Sequence, residues 1–152
     1  MVNLIRDESF ELTLKPGTRP FIARERPVAF ALREAVETEL KKLINDGCLQ
    51  ACSQADYVSP IVAVRKPNGK VRVCGDFRRL NEDIVDDKFP LPCIEDLFAQ
   101  IGPDNRWFCK IDLEAAYHQI LVKPKSQSLL TIITRIGTFK YCVTPFGVKK
   151  AP

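Results

Sequence analysis

The residue types able to do chemistry in this chain gather in two short stretches. In KIDLEAAYHQI, Lys110 to Ile120, a carboxylate at Asp112 closes an apolar run and stands five residues before Tyr117. WFCKI, which leads into Asp112, predicts a buried strand of aromatic and β-branched residues, and HQILVK predicts a second. A charge where a buried strand leaves a sheet is costly unless a cation or a donor meets it. Metal-dependent phosphoryl transfer uses such a placement, because hard Mg²⁺ takes carboxylate oxygens from rigid backbone. An Asp at a strand end is also an ordinary turn or helix cap, so the position alone leaves both readings open.

The second stretch, SPIVAVRKPNGKVRVCGDFRRLN from Ser59 to Asn81, has the pattern of a β-hairpin. PIVAV and VRVCGDF flank the turn KPNGK, and Asn68-Gly69 between apolar runs is a strong hairpin signal, since both residues tolerate φ > 0. From Arg65 to Arg79 the chain carries six cationic side chains, Arg65, Lys66, Lys70, Arg72, Arg78 and Arg79, against one acid, Asp76. A Lys supplies a point charge and an Arg a planar fork, both suited to a polyphosphate. A solvated charged turn is the alternative for this hairpin, although Arg72 falls mid-strand, where an idle Arg is less expected.

The surrounding elements predict an α+β domain of mixed helices and strands without regular βαβ alternation. Residues 1–27 form a polar, Pro-punctuated approach in which ESFELTLK alternates like a strand, and residues 28–152 form the domain proper. PVAFALREAVETELKKLINDG predicts a helix with Leu32, Val36, Leu40, Leu43 and Ile44 on one face, Lys41 and Lys42 outside it, and Gly47 as the stop. NEDIVDDKFPLP predicts an extended connector, and CIEDLFAQIG a short amphipathic helix with Ile94, Leu97, Phe98 and Ile101 inward. SLLTIIT and TFKYCVT predict two more strands. With 152 residues, 45 % of them apolar, the chain can bury one ordinary core. Its apolar runs fall short of the roughly 18 residues of a membrane span, and its first residues lack the pattern of a secretion signal, so an intracellular protein is expected. The six cysteines contain no C-x-x-C spacing, and His118 is the only histidine. Cys74, Cys93, Cys109 and Cys142 lie in or beside apolar segments, which predicts buried free thiols rather than disulfides or zinc ligands. The formal charge of +4 is modest; its concentration around the hairpin says more than its total.

In their order, VSPIV, RKPNGKVRVCGDFRRLN, KFPLP, KIDLEAAYHQI and TPFGVKKAP resemble the amino-terminal half of a reverse transcriptase. The likeness is nearest to gypsy-type long-terminal-repeat retroelements and runs from about Phe10 to the last residue. Each motif is weak alone; five in the right order and spacing are specific. The resemblance implies the fingers and first part of the palm of a right-hand polymerase fold. The parent activity would be template-directed addition of deoxynucleotides to a primer 3′ end by two-metal phosphoryl transfer. Asp112 would be the catalytic carboxylate and metal ligand, with Mg²⁺ or Mn²⁺ the cofactor of the complete polymerase.

By the same resemblance, Leu113 to Ala116 would lie under the triphosphate, and Tyr117 would stack beneath the sugar and block a 2′-OH. Lys66 and Arg72 would clasp the phosphates. Phe146 and Gly147 would line the pocket beside the sugar, with Phe146 where many retroviral relatives carry Gln. Lys70, Arg78 and Arg79 would either contact a nucleic-acid backbone or stay on the surface. The implied partners are an RNA or DNA template with primer, deoxynucleoside triphosphates, and the remaining palm, thumb and RNase H region of a parent polyprotein; no membrane is implied.

Two features depart from the family pattern. Lys149 and Lys150 precede Ala151 where a small or amide residue is common. The further carboxylates that the family supplies from a Tyr-x-Asp-Asp turn do not occur in these 152 residues. Asp86-Asp87 precedes Asp112 in a polar connector and reads as a solvated loop. The 152 residues by themselves are therefore expected to leave a primer unextended. A non-catalytic nucleic-acid-binding remnant and a domesticated interaction module stay open beside the polymerase reading.

Overall fold

The computed structural model describes residues 4–5, 8–67, 69–86, 92–102 and 104–149. Helix α1, Arg33–Asn45, follows a 3₁₀ turn over Phe30–Leu32. Val36, Leu40 and Leu43 recur at helical spacing and are buried, with Leu32 and Ile44 packed partly against the same core. Lys41 and Lys42 are exposed. Gly47, at φ +77°, ends the helix by donating its N–H to the Ile44 carbonyl at 3.0 Å.

The remaining strands are β1 (Ser9–Phe10), β2 (Phe21–Ile22), β3 (Leu49–Ala51), β4 (Tyr57–Arg65), β5 (Val71–Gly75), β6 (Leu121–Val122), β7 (Thr131–Thr134) and β8 (Gly137–Tyr141). Strand β4 is the spine of a six-stranded mixed sheet ordered β2–β4–β7–β8–β3, with β5 added to β4. The hairpin β4–β5 pairs Ile61 with Gly75 through to Arg65 with Val71. Val71, Val73 and Gly75 are buried, while Arg72 between them is exposed, which is the period-2 alternation of a strand with one covered face. Strands β2 and β7 run parallel to β4, and β8 runs antiparallel to β7 and β3. A separate pair sets β1 parallel to β6. The 1–27 segment thus places strands beside β6 and β4, and its Leu12 is buried in the core.

Three short helices complete the described fold: α2 (Arg78–Asp83), α3 (Ile94–Ala99) and α4 (Pro124–Gln127). Helix α2 is seated by Phe77 and Leu80, 1 % and 0 % exposed. Burial of such side chains contributes about 2 kcal/mol each.

Several sequence expectations are corrected. The strand over WFCKI does not form: residues 105–113 have no regular structure, and Trp107, Phe108 and Ile111 are 94 %, 71 % and 84 % exposed. A strand exists through hydrogen bonds to a neighbour, and among the described residues none pairs with this stretch. Helix α3 does form, but Ile94, Leu97, Phe98 and Ile101 are exposed rather than inward. An apolar stripe reports a need for cover without supplying it. For the same reason Cys93 and Cys109 are exposed; Cys74 and Cys142 are partly buried, and all six thiols are free.

The connector is not extended throughout. Asn81–Asp83 belong to α2, and Ile84, fully buried, bridges to Leu14. Of Asp86-Asp87, Asp86 pairs with Lys149, and residues 87–91 lie outside the described residues. Strand β7 starts at Thr131, because Ser128–Leu130 make a 3₁₀ turn, and the strand expected over HQILVK shortens to β6. Two backbone hydrogen bonds set the hairpin turn. Gly69 N–H donates to the Lys66 carbonyl at 3.0 Å and Lys66 N–H to the Lys70 carbonyl at 2.7 Å. This closes a three-residue loop with Pro67 first and Gly69, at φ +78°, third in the left-handed position. Asn68 lies outside the described residues.

Candidate functional site

Two chain segments meet at the site because of register. An isolated antiparallel bridge joins Leu121 to Val143, and Thr144 N–H donates to the Ile120 carbonyl at 2.9 Å. Carrying that register outward sets His118 opposite Phe146. Their rings stand 5.4 Å apart, and Tyr117 meets the same Phe146 ring edge-on at 5.0 Å. Ahead of these rings the chain turns sharply at Ala115, at φ +50° and ψ +42°. A side chain in that region costs about 1 kcal/mol, and Gln119 steadies the turn by donating Nε2–H to the Glu114 carbonyl at 2.8 Å.

Phe146 is also where the hairpin reaches the site. The Arg72 guanidinium lies over its ring, 5.0 Å from the centroid, a distance at which the cation and the ring face attract. Lys66, Arg72, Glu114, Ala115, His118 and Phe146 line a cleft of about 420 Å³ whose other wall is α1, with Glu39, Lys42 and Asp46. Lys66 and Arg72 bring cations from the hairpin, and Lys42 brings one from α1. Burial holds the His118 imidazole below its ordinary pKa, and Arg72 and Lys42 add to the effect; His118 is therefore neutral at pH 7. Glu39, Asp46 and Glu114 balance these three cations across the cleft, so an anionic, ring-bearing ligand would be met on the hairpin side, where Lys66 and Arg72 stand by the Phe146 ring.

The expected site residues divide by place. Lys66, Arg72 and Phe146 line the cleft, and Tyr117 packs on Phe146 from outside its lining. Ala116 and Tyr117 share the 3₁₀ turn Ala116–Gln119 and are half-buried. Gly147, at φ +88°, forms the turn behind Phe146. Asp112 and Leu113 lie in the exposed stretch before Glu114, Leu113 being 60 % exposed. Among the described residues no three His, Cys, Asp or Glu side chains gather to hold a metal ion. These residues alone do not fit a pair of divalent ions.

The remaining cations cluster around α2. Asp76, its side chain 8 % exposed, accepts two hydrogen bonds from the Arg78 guanidinium, at 2.8 and 2.7 Å, one from the Arg78 backbone N–H at 3.4 Å, and one from Arg26 at 2.8 Å. Arg79 pairs with Glu82 at 2.9 Å and lies 5.8 Å from the Phe21 ring centroid. Lys70 sits exposed in the hairpin loop. The Arg78 bonds foremost, then Arg26, hold the Asp76 carboxyl far below the usual carboxylate range. Stability from a carboxylate lowered in this way is present above its unfolded value near about 3.9 and is lost as pH falls through the folded value. Asp76→Asn is thus expected to cost about 1–2 kcal/mol at pH 7, discounted because both Arg side chains are largely solvated. It should also flatten the loss of stability below about pH 4, which urea titrations at stepped pH will read.

A family model described as "Reverse transcriptase (RNA-dependent DNA polymerase)" matches residues 64–152, more than half of the chain. The chain belongs to the reverse transcriptase family. It is 37 % identical over 154 residues to an uncharacterized protein of Caenorhabditis elegans, covering 99 % of this chain and 12 % of that protein. It is 30 % identical over 138 residues to the retrovirus-related Pol polyprotein from transposon gypsy of Drosophila melanogaster, covering 87 % of this chain and 13 % of that polyprotein. The reverse transcriptase stretch thus corresponds to about an eighth of the length of these curated relatives. Its fold matches a crystal structure of a prototype foamy virus protease-reverse transcriptase with a TM-score of 0.77 at 18 % identity, over 97 % of this chain and 19 % of that one. The expected α+β polymerase fold holds. Reverse transcriptases act on a nucleic-acid template and primer with nucleotides and use divalent metal ions. Among the described residues no helix is long and apolar enough to cross a membrane.

Sequence reasoning did not assign His118, Lys42 or Glu39 to the cleft of this reverse transcriptase stretch. The helical phase of Glu39 and Lys42 shows that they share a side of α1, but not that this side faces the hairpin. His118 could have been found from its neighbour Tyr117, since consecutive residues of a tight turn can both reach a facing ring.

Proposed function

We propose that this stretch is the nucleotide- and template-holding part of a retroelement reverse transcriptase, comprising the fingers and the first part of the palm. Joined to the remaining palm and thumb, with an RNase H region in the same polyprotein, it would add deoxynucleotides to a primer 3′ end on an RNA or DNA template, within the cell. The observation that carries the reading is the meeting of Arg72 from the hairpin and Tyr117 from the 3₁₀ turn on one ring, Phe146, which lines the cleft. In this reading Lys66 and Arg72 bind the triphosphate, the backbone from Leu113 to Ala116 lies beneath it, and Tyr117 with Phe146 and Gly147 bounds the sugar. Asp112 is the carboxylate this stretch contributes to the catalytic centre. Arg78, Arg79 and Lys70 face the template backbone.

The Tyr117 ring supplies the test. In a polymerase-length protein, Tyr117→Ala removes the bulk that a 2′-OH would strike. Ribonucleotide incorporation relative to deoxynucleotide is expected to rise about tenfold or more, with a smaller change in deoxynucleotide kcat. Single-nucleotide insertion kinetics with matched ribo- and deoxynucleotides measure it. Unchanged discrimination would return Tyr117 to a packing role against Phe146.

A further inference from the structure

We infer that Asn81 is a positioning residue for the nucleotide cleft, fixing Phe146 through the backbone behind it; the inference rests on the reading of that cleft given above. The Asn81 carboxamide meets two backbone groups of the facing segment. Its Nδ2–H donates to the Gly147 carbonyl at 2.9 Å, and its Oδ1 accepts the Lys149 N–H at 2.9 Å. A planar end with one donor side and one acceptor side belongs only to Asn and Gln, and Asn has fewer rotors to immobilise.

The clamp is rigid on one side and needed on the other. Asn81 follows Leu80, which is fully buried, and its own N–H donates to the Phe77 carbonyl at 2.7 Å. The core therefore fixes where the amide stands. On the far side, Gly147 sits in the left-handed region and has no side chain to hold its turn. Phe146, one residue earlier, carries the ring that Arg72, Tyr117 and His118 all touch. Asn81 itself does not line the cleft. Its effect on a ligand must pass through Gly147 and Phe146.

Two measurements test this, one of them independent of polymerase activity. In the 152-residue chain, Asn81→Ala is expected to speed amide exchange at Lys149 by about tenfold, while the amides of β5 and of the rest of α2 change little. Asn81→Asp keeps the acceptor for Lys149 but sets a carboxylate against the Gly147 carbonyl, so Lys149 should stay protected. In a polymerase-length protein, both variants are expected to raise the deoxynucleotide KM by about tenfold with primer–template affinity unchanged. If Asn81 acts through Phe146, Asn81→Ala with Phe146→Ala will bind nucleotide no worse than Phe146→Ala alone. Additive losses in the double variant, an unchanged KM in both single variants, or Lys149 exchange unmoved by Asn81→Ala would overturn the inference. A wild-type protein that extends no primer would instead overturn the reading of the cleft, with the exchange experiment still judging the clamp.

Discussion

Asp112→Asn is expected to cut primer extension by about a thousandfold or more in a polymerase-length protein, while primer–template affinity stays nearly unchanged. The amide preserves the shape of the side chain and removes the charge. In the 152-residue chain Asp112 sits in an exposed stretch outside the sheet, so there the substitution disturbs no buried packing and its effect on folding should be within about 0.5 kcal/mol. A large kinetic loss without a stability loss is the signature of a group that acts in the reaction. Steady-state extension with matched thermal melts separates the two. The 152-residue chain, whose sequence contains no Tyr-x-Asp-Asp, is expected to leave the primer unextended and serves as a comparison. If Asp112→Asn kept most of its rate, the carboxylate would be an ordinary turn residue, the alternative its sequence position always allowed.

Local signals were legible in the sequence, and missing cover was not. The period-2 pattern from Val71 to Gly75 and the glycine at 69 specify a hairpin whose partner is adjacent in the chain, and that hairpin is present. The α1 stripe of Val36, Leu40 and Leu43 likewise found a core within these residues. WFCKI and the α3 stripe carry the same kind of apolar signal, yet Trp107 and Phe98 are 94 % and 68 % exposed. Pattern gives a residue's preference for burial; only a neighbouring element satisfies it. The site followed the same division. Lys66, Arg72, Tyr117 and Phe146 were singled out by ordered motifs; Lys66, Arg72 and Phe146 line one cleft, and Tyr117 packs on Phe146. The contributions of α1 and of Asn81 depend on contacts between residues far apart in sequence, such as Asn81 with Gly147, which no local spacing reveals.

Arg72 offers the most direct test of the account, because its guanidinium reaches the cleft from the hairpin and lies over Phe146. Charge-assisted bonds from a planar fork to phosphate contribute about 2–3 kcal/mol, so losing them should weaken nucleotide binding by about thirtyfold or more. The measurement is equilibrium binding of the next correct deoxynucleoside triphosphate to a polymerase-length protein on template with a chain-terminated primer, which removes chemistry from the readout. Selective binding of the templated nucleotide is expected, weakened about thirtyfold by Arg72→Ala with template–primer affinity kept. Equal nucleotide affinity in wild type and Arg72→Ala would contradict it.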